Sequence, residues 1–199
     1  MLGVWDDILK KSLRCVDEVY PESGDANLEF FPVADFLVEA AIWVARAVPL
    51  AALGLGKELP EEGFTPHVDG SGELPLPSDF LRLLSFKVKG WKRPVVHPMY
   101  DTDVKYLQQA NPTLRGGEMF PVVAICDGES RLEYYSSKLG AYATLEHARY
   151  FPRPNVDEEY PANLIDIVAW KCAELTLSSM NDTAAQLATA RVTEHLQQL

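Results

Sequence analysis

The stretch LPLPSDFLRLLSFKVKGWKRPVV, residues 74–96, decides the fold class of this 199-residue chain. Pro75 and Pro77 hold the approach extended, because each proline also pushes the residue before it toward β or polyproline geometry. Beyond Phe80 the side chains alternate, with Leu84, Phe86 and Val88 on one parity and Ser85, Lys87 and Lys89 on the other. This period of two predicts a strand with one buried face and one solvated face.

More strands are expected after this one. Residues 122–126 and 131–136 flank the sequence Asp-Gly-Glu-Ser, and a short loop containing Asp-Gly favours a β-hairpin. Residues 142–151 are expected to add another strand, and residues 102–111 a short helix. Residues 80–159 are therefore predicted to form a small antiparallel β-sheet inserted between helical segments.

Both ends of the chain show the 3.6-residue period of helices. Apolar residues fall on one side of residues 4–20, and a loop over 21–27 follows. A second helix begins after Pro32 and is apolar on both faces, so we expect it at the centre of a bundle. The helical period returns near residue 164 and predicts two more helices. The second of them begins near its cap, Asn181 or Asp182, and runs toward the C-terminus. The sequence predicts an α+β fold whose mainly helical bundle is formed by residues 1–53 and 160–199.

Between the first helices and the sheet, residues 54–79 are rich in glycine and proline. Breakers at this density exclude a long regular element. The segment is therefore predicted to be an extended arm. With it, the whole chain, residues 1–199, is expected to form a single domain.

The charge and the apolar content limit the function. The chain carries 29 acidic and 18 basic residues, a net charge of −11, which disfavours nucleic acid as a bound ligand. Its longest apolar region, residues 40–56, contains Arg46 and Pro49, so no membrane-spanning segment is expected. The three cysteines are few and far apart, which predicts reduced thiols and no zinc site: Cys15, Cys126 and Cys172.

Each candidate for catalysis fails on spacing. Residues 52–57, ALGLGK, lack the first glycine and the Ser or Thr of a phosphate-binding loop, and Ser71 lacks the glycines of a nucleophile elbow. Glu146 and His147 would point to opposite faces of a strand. The potential metal ligands lie in one loop without a second cluster: His97, Asp101 and Asp103. We expect no enzymatic activity, no cofactor and no bound metal.

The tryptophans and one basic run indicate a contact surface instead. Trp5, Trp43 and Trp170 have apolar helical neighbours and are expected in the core. Trp91 lies among cations in KVKGWKR, residues 87–93, the basic cluster of an acidic chain. An exposed aromatic side chain between cations is typical of a protein contact. The predicted interface residues are Lys89, Trp91, Lys92 and Arg93, together with Phe64 and His67 from the arm.

The chain resembles the head–tail adaptor (connector) proteins of tailed bacteriophages. The resemblance rests on LPSDFLRL, residues 76–83, an LP-x-DF-x-RL entry into a β segment, and on the helical C-terminal sequence NLIDIVAWKCAELTLSSMNDTAAQLATARVTEHLQQL. These parts cover roughly a quarter of the chain, and neither motif is catalytic. The arm and the sheet are larger than in the small all-helical members of the family.

The resemblance implies a structural virion protein that assembles in the host cytoplasm. Its subunits would form a ring, expected to contain twelve copies, between a portal protein and the next tail or stopper protein. DNA would pass through the ring without specific binding, since an acidic channel wall does not hold DNA. The alternative function is a cytosolic protein-binding or regulatory module without catalysis.

Overall fold

The structure is a computed structural model, and it describes residues 3–19, 31–126, 128, 130–135, 138–180 and 182–199. The chain divides into two compact units. The helical unit comprises Met1–Gly54 and Arg153–Leu199, and the β unit comprises Leu55–Pro152. The predicted α+β class is confirmed. The loop expected over 21–27 and the proposed cap Asn181 lie outside the described residues.

The described residues contain five α-helices, which are α1 (Gly3–Val19), α2 (Val33–Ala47), α3 (Val104–Gln108), α4 (Ile165–Ser179) and α5 (Ala185–Gln197). They also contain eight strands, which are β1 (Lys57–Glu58), β2 (Thr65–Pro66), β3 (Gly72–Pro75), β4 (Phe80–Val88), β5 (Met99–Tyr100), β6 (Val122–Cys126), β7 (Arg131–Tyr135) and β8 (Leu145–Pro152). Helix α3 lies in the β unit and the other four lie in the helical unit. The helix predicted over 102–111 is thus shorter than expected.

Helix α4, and not α2, has the central place among the packed helices of the helical unit. It is buried on almost every side and contacts α1, α2 and α5. Helix α1 presents a single stripe, in which Trp5, Ile8 and Val16 are fully buried. Two side chains tie helices to neighbouring segments: Trp5 Nε1 donates to Glu158 O at 2.8 Å, and Tyr160 Oη donates to Ala41 O at 3.1 Å.

One expected core residue of the helical unit is partly exposed. Trp5 and Trp170 are buried as predicted, but Trp43 is 37% exposed. The ammonium group of Lys171 lies 4.2 Å from the centre of the Trp43 ring and bonds to Glu174 at 2.6 Å. Trp43 therefore covers a nearly buried ion pair, and this contact accounts for its place at the edge of the core.

The β unit contains two sheets where one was predicted. The three-stranded sheet has the order β1-β8-β4 and is antiparallel. The five-stranded sheet has the order β2-β3-β7-β6-β5. The predicted hairpin is confirmed, with Val122 opposite Tyr135 and Cys126 opposite Arg131. The expectation of a purely antiparallel arrangement is wrong for β5, which pairs with β6 in parallel.

The predicted arm over residues 54–79 is also wrong, because the segment is part of both sheets. Strand β1 pairs with β8, while β2 and β3 pair with each other and β3 pairs with β7. Leu74 is fully buried and Leu59 nearly so. The glycines and prolines keep these strands short, but backbone pairing and the two buried leucines hold the segment in the β unit.

The core of the β unit draws side chains from both sheets. Strand β4 contributes Phe86 and Val88, and Ser85 and Lys87 next to them are partly exposed, as the period of two predicts. It also contributes Leu83, which lies on the other parity, because the strand has an irregularity between Leu83 and Ser85. Strand β7 contributes Leu132 and Tyr134. Gly72 allows the close approach of β3 to this core, since a Cβ atom there would lie 2.4 Å from the Tyr134 hydroxyl oxygen. The ring of Tyr134 is the centre of an aromatic group that also includes Phe64, Phe86 and Trp91.

Candidate protein interface

The basic cluster forms a tight turn at the end of β4. Gly90 has a φ of +98°, a backbone conformation that glycine adopts without strain, and Trp91 N donates to Val88 O at 3.1 Å. The main chain of Lys89 bonds to Thr144 O at 2.9 Å, so the turn is fixed from both sides. The side chains of Lys89, Lys92 and Arg93 are exposed. The structure thus brings three predicted interface residues together at the surface.

Trp91 does not belong to that surface. It is only 3% exposed, and its ring packs against Phe86 at 5.9 Å and against Tyr134 at 6.1 Å between ring centres. Its prediction as an exposed contact residue is wrong, because the turn at Gly90 directs the indole into the core and its charged neighbours outward. Trp91 is an anchor that holds the basic turn in place.

A second turn, residues 117–120, lies beside the basic turn. Gly117 and Phe120 bond to each other through their main chains, at 3.2 and 2.9 Å, and Lys92 N donates to Glu118 O at 3.0 Å. The guanidinium carbon of Arg93 lies 4.9 Å from the centre of the Phe120 ring. Such a cation–π contact at an exposed position contributes about 0.5–1 kcal/mol, so it fixes the geometry more than it stabilises the fold.

These two turns define what we call the basic–aromatic patch, formed by Lys89, Lys92, Arg93, Met119, Phe120 and Lys138. Phe120 is 66% exposed and Met119 is 59% exposed. Lys138 joins the patch because it bonds to Glu118 at 3.3 Å. Aromatic, methionine and arginine side chains are enriched at protein interfaces, where the apolar groups lose water on binding, and surrounding cations select an acidic partner.

The other two predicted interface residues lie elsewhere in the β unit. Phe64 is partly buried and stacks on Tyr134, with ring centres 5.3 Å apart. His67 is exposed in the turn between β2 and β3, where its Nδ1 lies 3.2 Å from Ser71 Oγ. Phe64 and Trp91 thus meet around Tyr134, but they do so inside the core. His67 stays a prediction for a separate contact.

The sequence reasoning missed Met119, Phe120 and Lys138. The available signal was GGEMF, residues 116–120, in which two large apolar side chains follow a pair of glycines in a stretch with no strand or helix period. Residues of that kind in a turn are exposed unless a partner covers them. Their position beside Arg93 depends on the tertiary structure, since the two turns are far apart in the sequence.

A polar cluster on the outer face of the five-stranded sheet was missed as well. The Glu133 carboxylate accepts hydrogen bonds from the hydroxyls of Tyr135, at 2.5 Å, and Tyr106, at 2.9 Å, and from Arg131, at 2.6 Å. Tyr106 belongs to α3, so Glu133 fastens that helix to the sheet. Arg115 adds a second tie, because it bonds to the Asp69 carboxylate at 2.9 Å and to Gln109 O at 2.9 Å. The cluster is satisfied internally and holds residues 104–115 in place.

The Glu133 cluster predicts a pH-dependent stability. Burial alone raises the pKa of Glu133, but the hydrogen bonds from the two tyrosines and Arg131 bring it below its ordinary value of 4.5. Because the pKa of Glu133 is lower in the folded state than in the unfolded state, its ionisation stabilises the fold above pH 4.5. This stabilisation is lost as the pH falls through the folded-state pKa. Glu133→Gln should cost about 1–3 kcal/mol at pH 7, since it weakens three charge-assisted bonds. Urea unfolding between pH 7 and pH 3 should show that the free energy of unfolding falls less steeply with acidification in the variant than in the wild type. Parallel pH dependences in the two proteins would contradict this role of Glu133.

The remaining candidate metal ligands and catalytic side chains are exposed or bonded to other residues. His97 is exposed, and Asp103 accepts from Tyr100 N at 2.8 Å instead of capping α3 with its side chain. Glu146 bonds to Lys87, while His147 Nε2 lies 2.7 Å from Ser85 Oγ. In the part of the chain that the structure describes, no three histidine, cysteine or acidic side chains come together to hold a metal ion. Within the same residues, no helix has the length and the apolar character that crossing a membrane requires.

Comparison with known proteins adds no family to this geometry. The sequence matches no protein-family model, and no curated protein sequence is significantly similar to it. The basic–aromatic patch and the charges around it are therefore the features of the molecule that bear on function.

Proposed function

We propose that the chain is a structural, non-catalytic subunit of a phage head–tail adaptor, assembled in the host cytoplasm and retained in the virion. In this proposal the subunits form a ring of about twelve copies between a portal protein and the next tail or stopper protein. Helices from both chain ends would form the bundle of each subunit. The proposal is supported by the resemblance of residues 76–83 and of the C-terminal helices to adaptor proteins, and by the basic–aromatic patch.

The patch is the observation that carries the proposal. It places four cations and two exposed apolar side chains together on a chain whose net charge is −11. A protein with an acidic surface is a better partner for it than nucleic acid, because the overall charge repels phosphate. The Glu118 carboxylate, which is paired with Lys138, lowers the positive charge of the patch and thereby its attraction for phosphate. These features favour a contact within a protein assembly.

Co-purification with a portal protein tests the adaptor function. The chain should be co-expressed with the portal protein encoded in the same genome and purified through a tag on the portal. We expect the chain to elute with the portal ring in a fixed ratio, because an adaptor binds the portal in many equivalent positions. Replacing Lys92 and Arg93 with glutamate should reduce the retained amount.

The opposite result has a definite meaning. If no complex forms while the portal itself assembles normally, the adaptor function is wrong, and the protein-binding module becomes the better interpretation of the same patch. If the Lys92 and Arg93 variant is retained as well as the wild type, the patch does not take part in portal binding.

A further inference from the structure

The net charge is divided unequally between the two units. The helical unit contains sixteen acidic and seven basic residues, which leaves −9 of the total charge, while the β unit contains thirteen acidic and eleven basic residues, which leaves −2. The basic–aromatic patch therefore lies on the nearly neutral unit. The strongly acidic surface that would attract it lies on the other unit of the same sequence.

Part of the acidic excess is concentrated near the beginning of α1. Asp157, Glu158 and Glu159 are consecutive and exposed. The hydrogen bond from Trp5 Nε1 to Glu158 O, at 2.8 Å, places this segment beside the first turn of α1, where Asp6 and Asp7 are also exposed. We call these residues, 6–7 and 157–159, the acidic corner. These two adjoining segments carry five carboxylates, and Lys10 and Lys11 follow in the next turn of α1, so five acidic against two basic residues leave a net charge of −3 that a cationic patch would neutralise.

We propose that the basic–aromatic patch of one copy binds the acidic corner of a second copy. This inference rests on the proposed function and assigns the patch to the contact between neighbouring copies of the ring, so that loss of the patch would reduce portal binding through loss of that contact. A two-fold contact of patch with patch would bring Lys89, Lys92 and Arg93 against the same cations of the second copy, and like charges repel. A patch-to-corner contact instead joins opposite charges, and Met119 and Phe120 lose water in it.

The proposed contact joins unlike surfaces, so it is head-to-tail. After binding, each copy still has one free patch and one free corner, and assembly continues until a ring closes or an open chain grows. Because exposed charges are screened over about 10 Å at 0.1 M salt, the contact should weaken as the salt concentration rises. The apolar part of the patch makes that weakening incomplete.

Site-specific photo-cross-linking tests the partner directly. p-Benzoylphenylalanine is incorporated at position 120 of the full chain, where Phe120 is exposed and the larger ring is tolerated. Equal amounts of ¹⁴N-labelled and ¹⁵N-labelled chains are mixed, irradiated and digested, so that mass spectrometry separates cross-links between copies from those within one copy. The matched control carries the same residue at position 107, where Leu107 is exposed on α3, outside the patch.

We expect mixed-isotope cross-links from position 120 to residues 3–19 or 153–160, and none in these ranges from position 107. Asp157→Lys with Glu159→Lys should lower the yield from position 120 at least tenfold. Cross-links between copies that fall only in the β unit, or none between copies at any protein concentration, would overturn the proposal. Either result would leave the adaptor function standing if the portal protein still retains the chain through the patch.

Discussion

Replacing Lys92 and Arg93 with glutamate is expected to abolish self-assembly and to leave the fold intact. Both side chains are exposed, and they lie in a turn that is held by main-chain bonds and by the buried Trp91. Each reversal converts an attraction of up to about 1 kcal/mol for an exposed pair into a repulsion of similar size. Two reversals should therefore weaken the contact by up to about 4 kcal/mol, which is roughly 700-fold. Sedimentation equilibrium at low salt measures this change.

A matched variant controls for net charge. Arg14→Glu with Lys105→Glu changes the total charge by the same amount at two exposed positions outside the patch. The melting temperatures of both variants should equal that of the wild type within the usual range for surface substitutions. If the control loses assembly as completely as the patch variant, the effect comes from total charge, and the patch has no specific role.

Replacing Trp91 with alanine is expected to destabilise the β unit by about 3–5 kcal/mol, the usual loss for a large buried aromatic side chain. The indole is 3% exposed and contacts the rings of Phe86 and Tyr134. Trp91→Phe should lose much less stability, because it keeps an aromatic ring in the core. It also removes the buried Nε1–H, which has no hydrogen-bonding partner among the described residues. Denaturant unfolding followed by circular dichroism compares the three proteins.

The result for Trp91 separates anchoring from contact. As an anchor, Trp91 affects assembly only by unfolding the turn that carries Lys92 and Arg93. If Trp91→Ala keeps the stability of the wild type and still loses assembly, the tryptophan touches the partner directly, and its assignment to the core is wrong.

The elements that could be predicted from the sequence have a local period. The alternation at residues 84–88 correctly indicated which side of β4 faces the core, and the Asp-Gly loop located the hairpin of β6 and β7. The helices near both ends followed from the spacing of their apolar residues. In each case the signal is contained in a few neighbouring residues, because it reports the one face that the element buries.

The segment 54–79 could not be predicted in this way. Strands β1 and β2 are two residues long, too short to show any period, and they are paired with strands that are distant in the sequence. Glycine and proline correctly excluded a long element, but they are compatible with short paired strands. Most of the segment is exposed, and its fully or nearly buried apolar residues, Leu59 and Leu74, stand singly, so they form no pattern that indicates a strand.

The interface residues, too, could be predicted only where the signal lies in neighbouring residues of the sequence. The cations of residues 89–93 were found because they are adjacent in the sequence, and that adjacency also misplaced Trp91. Its burial depends on the direction of the turn at Gly90. Phe120 was missed because the contact with Arg93 is tertiary. Local chemistry located the charged part of the patch, and the three-dimensional structure was needed for its apolar part.

A charge exchange between two variants tests the head-to-tail contact most directly. One variant carries Lys89→Glu, Lys92→Glu and Arg93→Glu, which leaves the patch with three acidic residues and one basic residue. The other carries Asp157→Lys, Glu158→Lys and Glu159→Lys, which leaves the acidic corner with three basic and two acidic residues. Alone, each variant opposes like charges and should sediment as a monomer of 22.2 kDa. Mixed in equal amounts at low salt, the two should form assemblies that contain both chains in equal numbers, because each altered surface now meets its opposite charge. A mixture that stays at the monomer mass, while the wild type assembles under the same conditions, would contradict the contact between patch and acidic corner.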